Sequence, residues 1–191
     1  MLVTAFQFLL NTLLGLLSLA FLLRFYLQAT NAPFRNPLSQ MVVAVTDFAV
    51  IPMRRAIPSL FRLDTSTFLL AFLTQLLLQF LLQWVNGFPF SLAGNSVYLV
   101  IIGLSVLHVA NLSMDLFLYA IVAQALLSWV NPHTPIAPAL EALTRPIMQP
   151  IRRMIPSPNG LDLSPLIAIM TAQLMQILVF APLEISLMKL F

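Results

Sequence analysis

Cysteine is absent from all 191 residues. That excludes a disulfide framework, a thiolate metal site and covalent attachment of a c-type haem. Histidine occurs only at His108 and His133, too few for an all-histidine metal site within one chain. The five glycines, at 15, 87, 94, 103 and 160, form neither a dinucleotide fingerprint nor a phosphate-binding loop. Neither a Gly-x-Ser-x-Gly elbow nor a His-Glu-x-x-His helix is present. Charge is scarce as well. Asp, Glu, Lys and Arg make up 8% of the chain, where a soluble domain carries about 25%. An ordinary soluble enzyme is therefore excluded, and the 60% hydrophobic content excludes disorder. Mean hydropathy is +0.97, so the expected solvent is a bilayer. The net charge of +3 comes from arginines that read as membrane-topology signals, not as a nucleic-acid surface. No metal or cofactor is expected.

Four segments supply the roughly 20 apolar residues that a spanning helix needs. They are 3–28, with Arg24 near its end, 66–85, a span within 97–130, and 164–181. The first lacks a basic leader and a small-residue cleavage site, so it is not expected to be a signal peptide. Pro182 should end or kink the fourth, leaving 183–191 as a short amphipathic tail. The stretch 97–130 is long for one span and short for two. It is expected to be one helix, tilted or projecting from the membrane, with 111–113 as the place for a break. The shorter stretches 38–51 and 136–148 cannot span and fit interfacial or re-entrant helices.

The chain also repeats itself. Pro37, Thr46, Pro52, Arg54, Arg55, Pro58, Asp64 and Ser66 recur 98 residues later as Pro135, Thr144, Pro150, Arg152, Arg153, Pro156, Asp162 and Ser164. Gln75 and Gln173 continue that register. Upstream the offset is 100, pairing Asn11 with Asn111 and Asn31 with Asn131. The expectation is an all-α integral membrane protein with four transmembrane helices in two parallel-oriented repeats. Each repeat carries a short interfacial or re-entrant helix and a Pro-x-Arg-Arg-x-x-Pro connector between its spans. The units are 1–86 and 97–191, joined by an outer loop at 87–96. Eight of the nine basic residues fall on the connector side, leaving only Lys189. The positive-inside rule then puts both connectors in the cytoplasm and both termini outside.

At these residues the sequence resembles the YggT family. The resemblance rests on Pro52–Pro58 with Asp64 and Ser66, on Pro150–Pro156 with Asp162 and Ser164, and on Ser128-Trp129-Val130. It covers nearly the whole chain as two copies, although the first has Gln28-Ala29-Thr30 where the second has Ser-Trp-Val. It implies a bacterial inner-membrane protein with periplasmic termini. Family members have been linked to osmotic stress and potassium uptake, or lie among cell-division genes. Plastid relatives act in assembling a cytochrome complex that contains b-type haem. The resemblance carries over no catalytic residue.

The polar residues give the candidate sites. Arg54, Arg55, Arg152 and Arg153 suit docking of an anionic group or acidic partner, or headgroup anchoring through forked guanidinium–phosphate contacts. Asp64 and Asp162 can pair with those arginines or favour the positive end of the next helix, for which Ser66 and Ser164 are the expected caps. His108, Asn111 and Asp115 recur at i, i+3 and i+7 and share one helix face. They could form an intramembrane polar relay or tie helices together. Asn11, Gln75, Gln79, Gln173 and Gln176 should mark faces packed inward or against another protomer. The expected function is a non-enzymatic scaffold or assembly factor in the inner membrane. Its partners are membrane lipids and a membrane protein or a second copy of itself. The alternative is a small cation or proton transporter or channel component.

Overall fold

Leucine dominates the apolar runs, and few other side chains favour a helix as strongly. The computed structural model describes residues 1–57, 63–90, 94, 96–131, 133–154 and 162–189. Among these, the elements are α1 (Leu2–Ala29), α2 (Pro37–Ala56), α3 (Thr65–Val85), α4 (Ser96–Val130), α5 (Ala137–Met154), α6 (Ser164–Met175), a π-helical segment (Gln176–Phe180) and α7 (Ala181–Met188). Four continuous helices are long and apolar enough to cross a membrane: α1, α3, α4 and Ser164–Met188. The order long helix, arginine-ended helix, long helix occurs twice.

α4 is the central element, packing against α1, α3, α5, α6 and α7. The main core joins the two halves, with Phe21, Val50 and Ala71 from the first against Leu116, Ala120 and Leu143 from the second. Ile121 and Met148, the repeat counterparts of Phe21 and Val50, form a smaller core with Ala168. α4 runs unbroken for 35 residues, with no interruption at 111–113. The Ser105 and Ser113 hydroxyls donate at 2.7 Å to the carbonyls of Ile101 and Val109, one turn back. Their polarity is thus satisfied inside the helix.

Three local expectations are corrected. The short helices extend well past 51 and 148 and carry the arginines in their last turns. Pro52 and Pro150 lie inside helix, so the segment up to Arg55 and Arg153 is no proline-stiffened connector; Pro58 and Pro156 lie outside the described residues. A guanidinium near the last free carbonyls stabilises a helix C-terminus, which offsets part of the cost of an internal proline.

Pro182 does not end the last span. The preceding turn widens into the π segment, which makes room for the ring, and the helix continues to Met188. α7 is not an amphipathic tail either, because its polar residues, Glu184 and Ser186, point to nearly opposite sides and form no polar face. Leu187 rests 3.5 Å from where a side chain at Gly103 would begin.

The serines do not cap. α3 and α6 begin without a side-chain cap from Ser66 or Ser164. Ser66 instead donates to the Ile57 carbonyl at 2.8 Å, tying the start of α3 to the end of α2. The Ser164 N–H is taken up by Asp162 Oδ1 at 3.0 Å.

Candidate functional site

The inner arginine of each pair is held by the aspartate ten residues later. Arg54 Nε donates to Asp64 Oδ2 at 3.1 Å, and its Nη2 donates to the same oxygen. Arg152 Nε donates to Asp162 Oδ2 at 2.9 Å, with Nη2 at 2.8 Å from that oxygen. The same atoms are used 98 residues apart, so both halves build one clamp that fixes the end of the arginine helix to the start of the next long helix. Only the surroundings differ. The Asp64 side chain is 1% exposed and that of Asp162 41%. Asp64 Oδ1 is buried without a hydrogen-bond partner. Arg54 also reaches Gln28 Oε1 at 3.4 Å. At Asp162, partial desolvation raises the carboxyl pKa. Hydrogen bonds from Ser164 and the charge and hydrogen bond of Arg152 together outweigh it, so the group titrates below the ordinary aspartate value.

The outer arginines, Arg55 and Arg153, are exposed and join no ion pair among the described residues. Each clamp therefore locks one guanidinium and leaves its neighbour available at the helix end.

Behind the clamps lies an interaction that the sequence signalled only through the recurrence of Thr46 and Thr144. Arg24 is buried, and its Nη1 donates to Thr46 Oγ1 at 2.7 Å and to Asp47 Oδ1 at 2.8 Å. In the second half the Thr144 hydroxyl is shared between Gln124 Oε1 at 2.5 Å and the Leu140 carbonyl at 2.9 Å. The offset of 100 puts Gln124 at the place of Arg24, and the offset of 98 puts Arg145 at the place of Asp47. Each threonine pins its arginine-ended helix to the preceding long helix, with an ion pair added in the first half alone among the described residues.

His108 and Asp115 face the last helix. Asp115 Oδ1 accepts a 2.6 Å hydrogen bond from Gln176, the first residue of the π segment. His108 Nε2 lies 3.6 Å from Glu184 Oε1. Asn111 Oδ1 is buried without a partner. The three residues thus bond across to another helix or to nothing; Gln176 is one of the amides expected to mark a packed face, whereas Glu184 was missing from the expected set.

The amides divide. Gln75 and Gln79 are buried, whereas Gln173 and Asn11 are exposed, and Asn11 bonds back to the Gln7 carbonyl at 3.0 Å. Polar ties between α1 and α3 come instead from Gln7, which donates to Asn86 Oδ1 at 2.6 Å, and from Ser18, which donates to the Ala71 carbonyl at 3.1 Å. Among the described residues no group of three or more His, Asp or Glu side chains could hold a metal ion.

Comparison with known proteins gives the same duplication. The CCB3/YggT family model matches the chain twice, at residues 3–85 and 103–183. The chain is 37% identical to the uncharacterized protein PA0392 of Pseudomonas aeruginosa over 178 residues, which is 92% of this chain and 88% of that one. It is 36% identical to an uncharacterized protein of Vibrio alginolyticus, covering 84% and 85% of the two chains. It is 34% identical to the uncharacterized protein YggT of Escherichia coli K12, covering 85% and 82%. No solved structure matches it. With its clamp built in both halves and both halves matched by one family model, the chain belongs to the CCB3/YggT family.

Proposed function

We propose that this protein is a non-enzymatic scaffold or assembly factor of the bacterial inner membrane, with both termini periplasmic and both arginine helix ends cytoplasmic. Its arginine ends meet an anionic group, either a lipid headgroup or an acidic segment of a membrane-protein partner. The observation that carries this is the repeated clamp. Arg54 and Arg152 are consumed by Asp64 and Asp162, while Arg55 and Arg153 stay exposed and, among the described residues, outside any ion pair. A topology signal alone needs positive charge but no fixed geometry. A clamp that immobilises the helix end presents its outer guanidinium at a set position, which suits forked recognition of a carboxylate or phosphate.

The test is crosslinking in native membranes. A partner captured by the wild type and lost in Arg55→Lys/Arg153→Lys supports the proposal; undiminished capture by that variant ends it. Orientation is checked separately with cysteines at 59 and 157, which impermeant reagents should label only from the cytoplasmic side. The native chain contributes no background because it has no cysteine.

Cation or proton movement is the competing function, and one cluster favours it. Asp115–Gln176 and His108–Glu184 set two carboxylates and an imidazole between α4 and a helix bearing a π segment. Ionisable groups at that depth and π turns are both common at functional sites. Proteoliposomes of the pure protein decide this: proton or potassium flux abolished by Asp115→Asn would replace the scaffold with a transporter.

A further inference from the structure

A groove of about 530 Å³ opens between α4, α5 and α6. Its floor is apolar, from Ile121, Met148, Leu166 and Ile169, and Arg152 and Asp162 stand at one end with Ser128 and Trp129. At the matching place in the first half, larger side chains among the described residues occupy the space. The register pairs Ala125 with Phe25, Ser128 with Gln28 and Leu166 with Phe68. There the Phe25 ring sits 5.2 Å from that of Phe68, Gln28 reaches Arg54, and Val50 and Ala71 are fully buried. The cleft is sealed in one half and left open in the other by two truncations, Phe to Ala and Gln to Ser.

Three features describe what would fill it. Ile121 to Trp129 is eight residues, about 12 Å of helix, close to the roughly 15 Å of one hydrocarbon leaflet. Trp129 is 85% exposed at the arginine end, and indoles favour headgroup depth. Arg153 lies beside Arg152, and Arg145 lies seven residues before it on the same face of α5; among the described residues neither is in an ion pair. Glu141 is the one further carboxylate nearby, lining a smaller hollow that shares Gln124 and Ser128.

We infer that this groove binds an anionic glycerophospholipid, one acyl chain along α4 and its phosphate at the Arg152–Arg153 end. The inference rests on the proposal that the arginine ends meet anionic groups, and it names the second half as the one that takes lipid.

Trp129 reports on it directly. With Trp84→Phe, Trp129 is the sole tryptophan, and the chain is placed in phosphatidylcholine vesicles containing a minor fraction of brominated lipid. Brominated phosphatidylglycerol should quench Trp129 as if enriched roughly fivefold over the same fraction of brominated phosphatidylcholine, the factor that one unpaired guanidinium supplies. Equal quenching by the two lipids overturns the inference and needs no groove variant. Ala125→Phe/Ser128→Gln, which installs the first half's residues, should remove the excess; an excess that persists in the folded variant also overturns it. Partner crosslinking is a separate readout. Quenching excess without a captured partner leaves the lipid site standing and ends the protein scaffold, and the converse pattern ends the lipid site alone.

Discussion

Thr46 Oγ1 accepts a 2.7 Å hydrogen bond from the buried Arg24 guanidinium, joining the midpoint of α2 to the inner end of α1. Removing that guanidinium strips Thr46 of its donor and Asp47 of its counter-charge. Arg24→Met should lower stability by about 2 kcal/mol, below the usual cost of breaking a buried pair because the Asp47 side chain is 38% exposed. Arg24→Gln, the residue the second half uses, should cost clearly less. Thermal unfolding in detergent checks both, and equal losses would show that the threonine bond contributes little.

The two clamps should respond unequally to loss of their carboxylates. Asp64 is buried and Asp162 is largely open, so Asp64→Asn should destabilise by about 2–3 kcal/mol and Asp162→Asn by less than about 1 kcal/mol. Melting temperatures of the two variants give the comparison; the reverse order would contradict the burial difference.

Asp162 also sets an acid limit. Its folded pKa lies below the ordinary aspartate value, so its contribution is present above that ordinary value and is lost as pH falls through the depressed one. The loss is small, because the group is solvent-screened. Carbon NMR of the carboxyl should give a titration midpoint below that of an unfolded aspartate, and Arg152→Gln should raise it.

Pro182 should control which face of the last helix meets α4. Pro182→Ala removes the ring that the π segment accommodates, so the turn can close to α-helical register and rotate Gln176 away from Asp115. Cysteines replacing Asp115 and Gln176 should be joined by a short bifunctional reagent in the native background and poorly in the Pro182→Ala background. Equal yields would mean that the π turn is fixed by packing alone.

Much of this architecture was legible in the sequence. The long runs of leucine and phenylalanine set four membrane-length helices, and the recurrence of Arg54 and Asp64 as Arg152 and Asp162 marked residues that prove to be bonded. The three prolines depart from expectation for one reason. Pro52, Pro150 and Pro182 read as breaks or stiffeners, whereas the helix carries on through each. A proline removes one backbone bond and crowds one carbonyl, a local cost that continuing apolar packing can exceed. Ser66 looked like a cap because Ser before a helical run so often is, but its hydroxyl reaches the end of α2 instead. Arg24 reads in the sequence only as one of the basic residues on the connector side, since one-dimensional order does not tell that Thr46 and Asp47 fold back beside it. Gln176 was legible as a packing amide, but its pairing with Asp115 was not, because a π turn shifts helical phase without a signature of its own.

The uninterrupted length of α4 has a mechanical consequence. Thirty-five residues make a rod of about 52 Å, against 40–45 Å for a whole membrane. A rod that keeps both ends at the membrane faces must lean by about 35°, and each ångström of bilayer thinning then leans it about 2° further. Its Trp129 end sweeps sideways by more than the thickness change itself. That end lines the groove beside Arg152, so any lean of α4 relative to α5 would change the width of the opening between them.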